Sequence, residues 1–250
     1  MELFVIFFFF VWNEIKIITK DKYVDSVNNR TVALKKLRLE KGLSGKEGLP
    51  ITSIREIKLL KSIDHKNIIN LLDIAVGKKL DSIYLVFDYV ANDLAELNKN
   101  ITGTFALNEI KCILAQFFAA VNYLHENWII HRDLKLSNIL YDNGEIKLCD
   151  FGLARYSGTP IIPLTPKVVT RYYRAPEILL GAKKYDNSID IWACGCIMGE
   201  LFTKEALFKS KSDFDQLEKM FDLLGFPKEK NWPQFKTLPF FDKFTFTHKG

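Results

Sequence analysis

Apolar residues recur along this chain in two patterns, one typical of strands and the other of helices. Residues 31–37 (TVALKKL) open with β-branched and apolar side chains and predict a strand, and residues 83–89 (IYLVFDY) predict a second, buried strand. Apolar residues at helical spacing are first Ile54, Ile57, Leu60 and Ile63, and then Ile110, Ile113, Leu114, Phe117, Phe118, Val121 and Leu124. The strand pattern comes first and the helical pattern dominates afterwards, so the sequence predicts an α+β fold with two lobes that meet near residues 88–93.

The first residues of the chain depart from both patterns, because residues 3–12 (LFVIFFFFVW) are all apolar. A helix needs about 20 apolar residues to cross a bilayer, and this run is too short for that. Glu2 precedes it, and neither a basic region nor a small-residue cleavage site flanks it, which argues against a signal peptide. We expect a buried or aggregation-prone strand, or sequence that does not belong to the following domain, rather than a signal or membrane anchor.

Composition and charge narrow the classes of protein that the chain can represent. With 48% hydrophobic and 26% charged residues it is an ordinary globular sequence, which excludes disordered and collagen-like chains. The net charge of +5 is mild and the lysines are scattered, so no nucleic-acid partner is expected. Four cysteines fit no metal-ligand spacing and predict reduced structural thiols of an intracellular protein: Cys112, Cys149, Cys194 and Cys196.

One stretch carries most of the candidate chemistry, residues 131–152, which read HRDLKLSNILYDNGEIKLCDFG. It resembles the catalytic loop and the magnesium-binding loop of protein kinases. VALK at 32–35 lies upstream and APE at 175–177 lies downstream, in the order that kinases show. Several short motifs in this order are very unlikely to arise by chance, so the chain is identified as resembling the protein kinase family.

The resemblance implies a two-lobed protein kinase-like fold. The small, β-rich N-lobe with one regulatory helix is expected at residues 23–88, and the larger, mainly helical C-lobe at residues 89–250. Residues 1–22 form an atypical segment in front of them. The implied reaction is transfer of the ATP γ-phosphate to protein Ser or Thr side chains, with ATP and Mg²⁺ as cofactors.

Four polar residues of the motif stretch are the expected catalytic and metal-binding groups. Asp133 would orient the substrate hydroxyl and accept its proton. Lys135 would point at the transferring phosphate, as the HRDLK-x-x-N string of Ser/Thr kinases implies. Asn138 and Asp150 offer amide and carboxylate oxygens, which are the ligands that Mg²⁺ prefers.

The nucleotide is expected to meet a lysine on the first predicted strand. Lys35 follows three apolar residues, so it should face the nucleotide while Lys36 points to the other side of the strand. Glu56 on the following helix is its natural partner, and the pair would bind phosphates only when that helix is docked. The resemblance places the remaining ATP contacts at Ala33, Phe87, Asp88, Tyr89, Val90, Asp93 and Leu140.

The match extends to one group of kinases through the string PITSIRE at 50–56. It resembles the cyclin-binding helix of the PITSLRE-type cyclin-dependent kinases, the group of cyclin-dependent kinases ten and eleven. VALKKLRLEK, HRDLKLSN, DFGLAR, TPKVVT, YRAPEILLG and SIDIWACGCIMGEL support the same resemblance. It implies a cyclin partner held by Pro50, Ile51, Ile54 and Arg55, and a nuclear and cytoplasmic kinase of cell-cycle or transcription control.

The same resemblance implies a phosphorylation switch and a substrate preference. Thr165 would be phosphorylated by an activating kinase, and arginines would clamp the phosphate. The clamping residues are Arg55, Arg132 and Arg155. Val168, Val169 and Arg174 resemble the platform with which such kinases select protein substrates that carry Ser/Thr-Pro.

Some positions depart from the family pattern. Residues 13–27 contain no glycine, although kinases carry a G-x-G-x-x-G loop before the strand lysine so that backbone amides can approach the phosphates. The lobe of the family continues past residue 250, and Arg171 stands where cyclin-dependent kinases usually carry Leu. The sequence therefore leaves three alternatives open: an active kinase, a pseudokinase or cyclin-binding decoy, and a membrane-tethered form. The membrane-tethered form is the weakest of the three, and we expect no membrane partner.

Overall fold

The computed structural model describes residues 9–11, 15–19, 22–25, 29–37, 40–41, 47–77, 83–157 and 171–246. Two compact units emerge, one of residues 1–92 with 140–153 and the other of residues 93–139 with 154–250. The first is built on a β-sheet and the second mainly on helices, which confirms the predicted α+β class.

The strands and helices are as follows in chain order: β1 (Phe9–Val11), β2 (Ile15–Thr19), β3 (Lys22–Asp25), β4 (Arg30–Lys36), β5 (Glu40–Lys41), β6 (Glu47–Gly48), α1 (Ile51–Leu60), β7 (Leu71–Val76), β8 (Ile83–Asp88), β9 (Asn92–Asp93), α2 (Leu94–Asn100), α3 (Leu107–Glu126), β10 (Ile129–Ile130), β11 (Ile139–Asp142), β12 (Glu145–Leu148), β13 (Arg155–Tyr156), α4 (Pro176–Leu179), α5 (Ser188–Thr203) and α6 (Asp213–Leu224). The predicted strands at 31–37 and 83–89 are confirmed as β4 and β8. Within the apolar run 3–12 the structure describes only β1.

The first unit is organised around a six-stranded sheet in the order β1-β7-β8-β4-β3-β2. Strands β2, β3 and β4 form an antiparallel meander, and β4 continues antiparallel to β8. This register pairs Ala33 with Phe87 and Lys35 with Leu85. One face of the sheet closes over Val32, Ala75 and Val86, which are almost fully buried. The sheet thus fixes which face Lys35 occupies.

Helix α1 confirms the helix predicted after Pro50. Pro50 lies immediately before the helix with φ −58° and ψ 145°, a conformation that proline favours. Ile57 and Leu60 are buried as the apolar spacing predicted, and Ile63 is buried just beyond the helix end. Ile54 is different, because 51% of its surface remains exposed. Ile54 therefore lies on the outer side of α1.

Strands β11 and β12 form a short hairpin between the two kinase motifs. Asn143 and Gly144 join the strands with φ angles of +49° and +87°. Asn-Gly is the preferred sequence for two-residue hairpin turns that need positive φ at both positions. The hairpin leads directly into the Asp150-Phe151-Gly152 motif, whose turn Phe151–Leu153 packs against α1.

The second unit is organised around α3, α5 and α6. The buried face of α3 confirms the predicted pattern except at Phe118, which is 41% exposed. Helix α5 buries Cys194 and Cys196, and none of the four cysteines forms a disulfide within the described ranges. Burial raises the pKa of the Cys196 thiol to about 12, so this group stays protonated and unreactive. Among the helices that the structure describes, none is long and apolar enough to cross a membrane.

The packing of α6 yields a direct test of the second unit. Leu217 is fully buried against an aromatic-rich cluster, whereas Leu223 on the same helix is 61% exposed. Leu217→Ala should lower the free energy of unfolding by about 2–5 kcal/mol, since it opens a cavity. Leu223→Ala should change it by no more than about 0.5 kcal/mol. Chemical denaturation measures both, and equal losses would contradict the packing described for α6.

Candidate active site

The first unit contains a cavity of about 290 Å³ that gathers most of the predicted nucleotide contacts. Its lining includes Ala33, Lys35, Glu56, Phe87, Asp88, Tyr89, Val90, Leu140 and Asp150. The sequence reasoning did not assign Ile69 or Cys149 to this site, although both line the cavity. Cys149 could have been inferred because it directly precedes Asp150, whereas Ile69 belongs to no motif. The cavity is apolar with a charged end, which is the usual character of a ligand pocket.

Lys35 forms the charged end of this cavity with two carboxylates. Its Nζ lies 2.7 Å from Glu56 Oε1 and 2.9 Å from Asp150 Oδ1. Burial alone lowers the pKa of Lys35, but the two carboxylates outweigh burial and leave this pKa above its ordinary value. The ammonium group therefore stays charged at neutral pH. Lys36 points to the other side of β4 and is exposed, as the alternation of strand side chains predicts.

Local backbone geometry fixes the two carboxylate partners of Lys35. Glu56 is 7% exposed and belongs to the buried face of α1. Asp150 adopts a φ of +63°, a left-handed conformation that residues other than glycine rarely adopt. Such strain is commonly stored at functional sites. The sheet, the helix and the strained turn thus converge on one ammonium group.

The second unit brings together the three predicted residues of the catalytic loop. Asp133 Oδ2 accepts hydrogen bonds from Lys135 Nζ at 2.8 Å and from Asn138 Nδ2 at 3.3 Å. Asn138 Nδ2 also donates to the backbone oxygen of Asp133 at 2.8 Å. Asp133 Oδ1 is buried and has no hydrogen-bond partner among the described residues. One oxygen of this carboxylate is therefore held in place, while the other keeps unused capacity to accept a hydrogen bond.

Asp190 anchors the catalytic loop through its carboxylate. Its carboxylate accepts hydrogen bonds from the backbone N–H groups of His131 at 2.8 Å and Arg132 at 2.9 Å. Its Oδ2 also lies 3.0 Å from His125 Nε2. Arg132 adopts a φ of +70°, so the loop is strained at this point. The buried carboxylate holds the backbone in this conformation and so orients Asp133, the next residue.

The donor atoms expected to hold Mg²⁺ have suitable chemistry. Both hydrogen bonds between Asn138 and Asp133 use the amide nitrogen of Asn138, so the amide oxygen is the atom left for a cation. Asp150 presents a carboxylate whose side chain is 44% exposed. Among the described residues, no group of three or more His, Cys, Asp or Glu side chains could hold a metal ion. Mg²⁺ is commonly bound by one or two carboxylates together with substrate phosphates, and these residues fit that mode.

Two of the three predicted phosphate-clamping arginines lie close together in the second unit. The pairing of β10 with β13 sets Arg155 opposite Ile130, two residues before Arg132. The Arg132 guanidinium lies 6.0 Å from the Tyr185 ring, and its Nε has no hydrogen-bond partner among the described residues. Burial raises the pKa of Tyr185, while Arg132 and Arg155 act in the opposite direction. Arg55 is exposed on α1 of the first unit.

Other predicted site residues remain without a structural test. Thr165, Val168 and Val169 lie outside the described residues. Asp93 is the N-cap of α2, where its carboxylate accepts a hydrogen bond from the Glu96 N–H at 2.9 Å, and its contact with ribose stays a prediction.

Helix α1 presents the residues assigned to a cyclin partner on its outer side. Ile51 and Ile54 are 66% and 51% exposed, Arg55 is exposed, and Pro50 is half-buried. Two large apolar side chains thus lie on one exposed stretch of helix.

Comparison with known proteins identifies the family of this chain. Residues 21–243 match the protein kinase domain family. The chain is 50% identical over 220 residues to a probable cyclin-dependent kinase 10 of Dictyostelium discoideum, an alignment that covers 88% of this chain and 60% of the relative. It is 48% identical over 229 residues to cyclin-dependent kinase 11B of Mus musculus, covering 91% of this chain and 28% of the relative. The chain therefore spans less than two thirds of the length of these relatives.

A solved structure gives the same result for the fold. The crystal structure of the yeast RNA Pol II CTD kinase CTDK-1 complex contains a chain that superposes with a TM-score of 0.81 at 39% identity, covering 92% of this chain and 73% of that one. The predicted kinase-like fold and the resemblance to cyclin-dependent kinases ten and eleven are both confirmed. The chain belongs to the protein kinase domain family.

Proposed function

We propose that this chain is an ATP-dependent Ser/Thr protein kinase of the cyclin-dependent type, which transfers the ATP γ-phosphate to Ser/Thr-Pro sites in proteins. The observation that carries the proposal is the carboxylate of Asp133. Lys135 and Asn138 hold one of its oxygens, and the other has no hydrogen-bond partner among the described residues. A substrate hydroxyl would need such an unpaired acceptor oxygen. Similarity to proteins named cyclin-dependent kinases supports the cyclin-dependent part of the proposal.

The first unit supplies the groups that hold the nucleotide. Ala33 and Leu140 would enclose the adenine ring, and the segment 88–90 would meet its polar edge. Lys35 would bind the α- and β-phosphates, with Glu56 keeping the ammonium group in position. Since two carboxylates hold its pKa above the ordinary value, Lys35 carries its positive charge through the neutral range. The charge of Lys35 therefore gives phosphate binding no pH dependence near neutrality.

The second unit supplies the groups for the acceptor. Asp133 Oδ1 would accept a hydrogen bond from the substrate hydroxyl, orient it toward the γ-phosphorus and take its proton. Lys135 would neutralise charge on the transferring phosphoryl group. When bound through Asn138 and Asp150, Mg²⁺ supplies charge neutralisation at the phosphate oxygens. Asp190 contributes indirectly, because it holds the loop backbone that carries Asp133.

One observation favours a second candidate, a cyclin-binding module without phosphate transfer. No glycine occurs in residues 13–27, and only residues 20 and 21 separate β2 from β3. Kinases carry a glycine-rich loop over the phosphates in front of the strand lysine, and this sequence has no such motif there. The second candidate predicts partner binding through α1 without turnover of ATP. We favour the kinase because Lys35, Glu56, Asp133, Lys135, Asn138 and Asp150 are all present.

Nucleotide binding can be tested with two neighbouring lysines. Saturating Mg-ATP at 100 times its dissociation constant should raise the melting temperature of the chain by about 5–10 °C. Lys35→Ala should abolish most of this rise, because the phosphates lose their cation. Lys36→Ala should retain it, since Lys36 points to the other side of β4. A rise that survives Lys35→Ala, or that both variants lose equally, would refute the assigned pocket.

Phosphate transfer can be tested by removing the proton acceptor alone. Asp133→Asn preserves the shape of the side chain and should lower the turnover of a Ser-Pro peptide by about 10²–10⁴-fold, the usual contribution of a general base. Asp142→Asn, an exposed change on β11, should leave turnover unaltered. Labelled ATP and purified chain, with and without a cyclin, provide the measurement. Undiminished transfer by Asp133→Asn would contradict the mechanism, and a chain that binds ATP without transfer would support the second candidate.

The cyclin partner can be tested through the exposed face of α1. Ile54→Asp places a charge on an apolar contact surface and should weaken capture of a cyclin at least tenfold, the effect of about 1.4 kcal/mol. Leu107→Asp is a matched control, because Leu107 is 56% exposed in the first turn of α3, where an acidic residue is favourable. Pull-down against a panel of purified cyclins measures the difference. Equal capture by both variants would exclude α1 as the cyclin surface.

A further inference from the structure

A single hydroxyl group links the turn Arg171–Tyr173 to helix α5. The Tyr173 hydroxyl donates a hydrogen bond to Glu200 Oε2 at 2.6 Å, a short distance that is typical of a carboxylate acceptor. Both residues are half-buried, and they lie 27 positions apart in the chain. No short sequence pattern signals this pairing. The contact therefore emerges only from the fold.

The surroundings of this pair fix which group carries the proton. Burial raises the pKa of Tyr173 most, and Glu200 raises it further, so the hydroxyl stays protonated and acts as the donor. Burial also raises the pKa of Glu200, whereas the hydrogen bond from Tyr173 acts in the opposite direction. A carboxylate that is partly removed from water is costly without a hydrogen-bond partner. The Tyr173 hydroxyl supplies this partner, and the bond fixes the orientation of the tyrosine ring.

The backbone of the same turn is held by a different helix. Gln216 on α6 is fully buried, and its Nε2 donates a hydrogen bond to the backbone oxygen of Tyr172 at 3.2 Å. Arg171 Nε also pairs with Asp213 Oδ1 of α6 at 2.7 Å. The turn thus has its backbone fixed on α6, while the Tyr173 side chain is fixed on α5.

Tyr173 also borders the catalytic loop. It lines a cavity of about 40 Å³ together with Arg132 and Asp133. Burial sets the direction of the Tyr173 pKa shift, but the backbone N–H of Leu136 opposes it. An N–H group has this effect when it is directed at the phenolic oxygen. The Tyr173 side chain therefore lies between α5 and the loop.

The catalytic loop receives support from α5 at more than one point. Asp190 binds the backbone N–H groups of His131 and Arg132, at the start of the loop. The later part of the loop is the buried turn Leu136–Asn138. Through the side chain of Tyr173, α5 reaches this later part as well.

We infer that Tyr173 is a positioning residue, which Glu200 holds beside the catalytic loop and which supports the turn that follows Asp133. The inference rests on the proposed role of this loop in phosphate transfer. It assigns α5 two separate contributions to the loop. Asp190 fixes the start of the loop directly, and Glu200 fixes the later part through the tyrosine hydroxyl.

Hydrogen exchange of individual backbone amides tests this inference without requiring enzymatic activity. Tyr173→Phe keeps the ring and removes the hydroxyl, so the amides of Leu136 and Asn138 should exchange at least about tenfold faster than in the native chain. The amides of His131 and Arg132 should keep their native rates, because another carboxylate of α5 binds them directly. NMR resolves these amides one by one. Unchanged exchange in the turn, or equal acceleration throughout the second unit, would overturn the inference.

Three further variants separate the hydrogen bond from other effects. Glu200→Gln retains an acceptor oxygen for the hydroxyl and should keep the native exchange rates, whereas Glu200→Ala should match Tyr173→Phe. Tyr172→Phe is a matched control on the neighbouring residue, because the hydrogen bond between Tyr172 and Gln216 uses the backbone oxygen of Tyr172. Equal acceleration in Glu200→Gln and Glu200→Ala, or acceleration in Tyr172→Phe, would contradict the assignment.

Kinetics provide the second readout. Tyr173→Phe and Glu200→Ala should each lower kcat for a Ser-Pro peptide by about tenfold, while KM for Mg-ATP stays within about twofold, since the nucleotide cavity belongs to the first unit. Combining the two changes should cause no further loss, because both remove the same hydrogen bond. Additive losses would refute the route through Tyr173. A native chain without transfer would refute the proposed function, and hydrogen exchange would then decide on Tyr173 alone.

Discussion

The ion pair between Lys35 and the buried carboxylate of Glu56 is the interaction on which the first unit depends. A carboxylate with 7% exposure is costly without a cation, and the ammonium group at 2.7 Å removes that cost. Because Asp150 contacts the same ammonium group, three chain segments meet at a single atom. These segments are β4, α1 and the turn after β12. The cavity proposed for the nucleotide lies beside this ion pair.

In the second unit, buried or half-buried carboxylates bind backbone N–H groups and arginine side chains. Asp190 holds the strained backbone at His131 and Arg132, and Asp213 holds the turn that carries Arg174. In both cases the carboxylate lies in the first turn of a helix, α5 or α6. The contacts of Asp190 hold the backbone directly before Asp133.

The sequence allowed much of the site to be predicted, because kinase motifs are local strings with fixed chemistry. Strand alternation placed Lys35 and Lys36 on opposite faces, and the Asn143-Gly144 turn follows from backbone sterics alone. Contacts between distant segments were not predictable in this way. Asp213 meets Arg171 across 42 positions, and no short pattern signals such a pair. Periodicity alone also did not distinguish the exposed Ile54 from the buried Ile57 and Leu60, since spacing marks a helix but not which of its residues are covered.

We expect Glu56 to act on the nucleotide only through Lys35. Calorimetric titration of Mg-ATP into the native chain, Lys35→Ala, Glu56→Ala and the double variant measures this dependence most directly. Both single changes should weaken nucleotide binding, and the double variant should bind no more weakly than Lys35→Ala. Losses that add in the double variant, or single changes that leave the affinity for Mg-ATP unaltered, would contradict the claim.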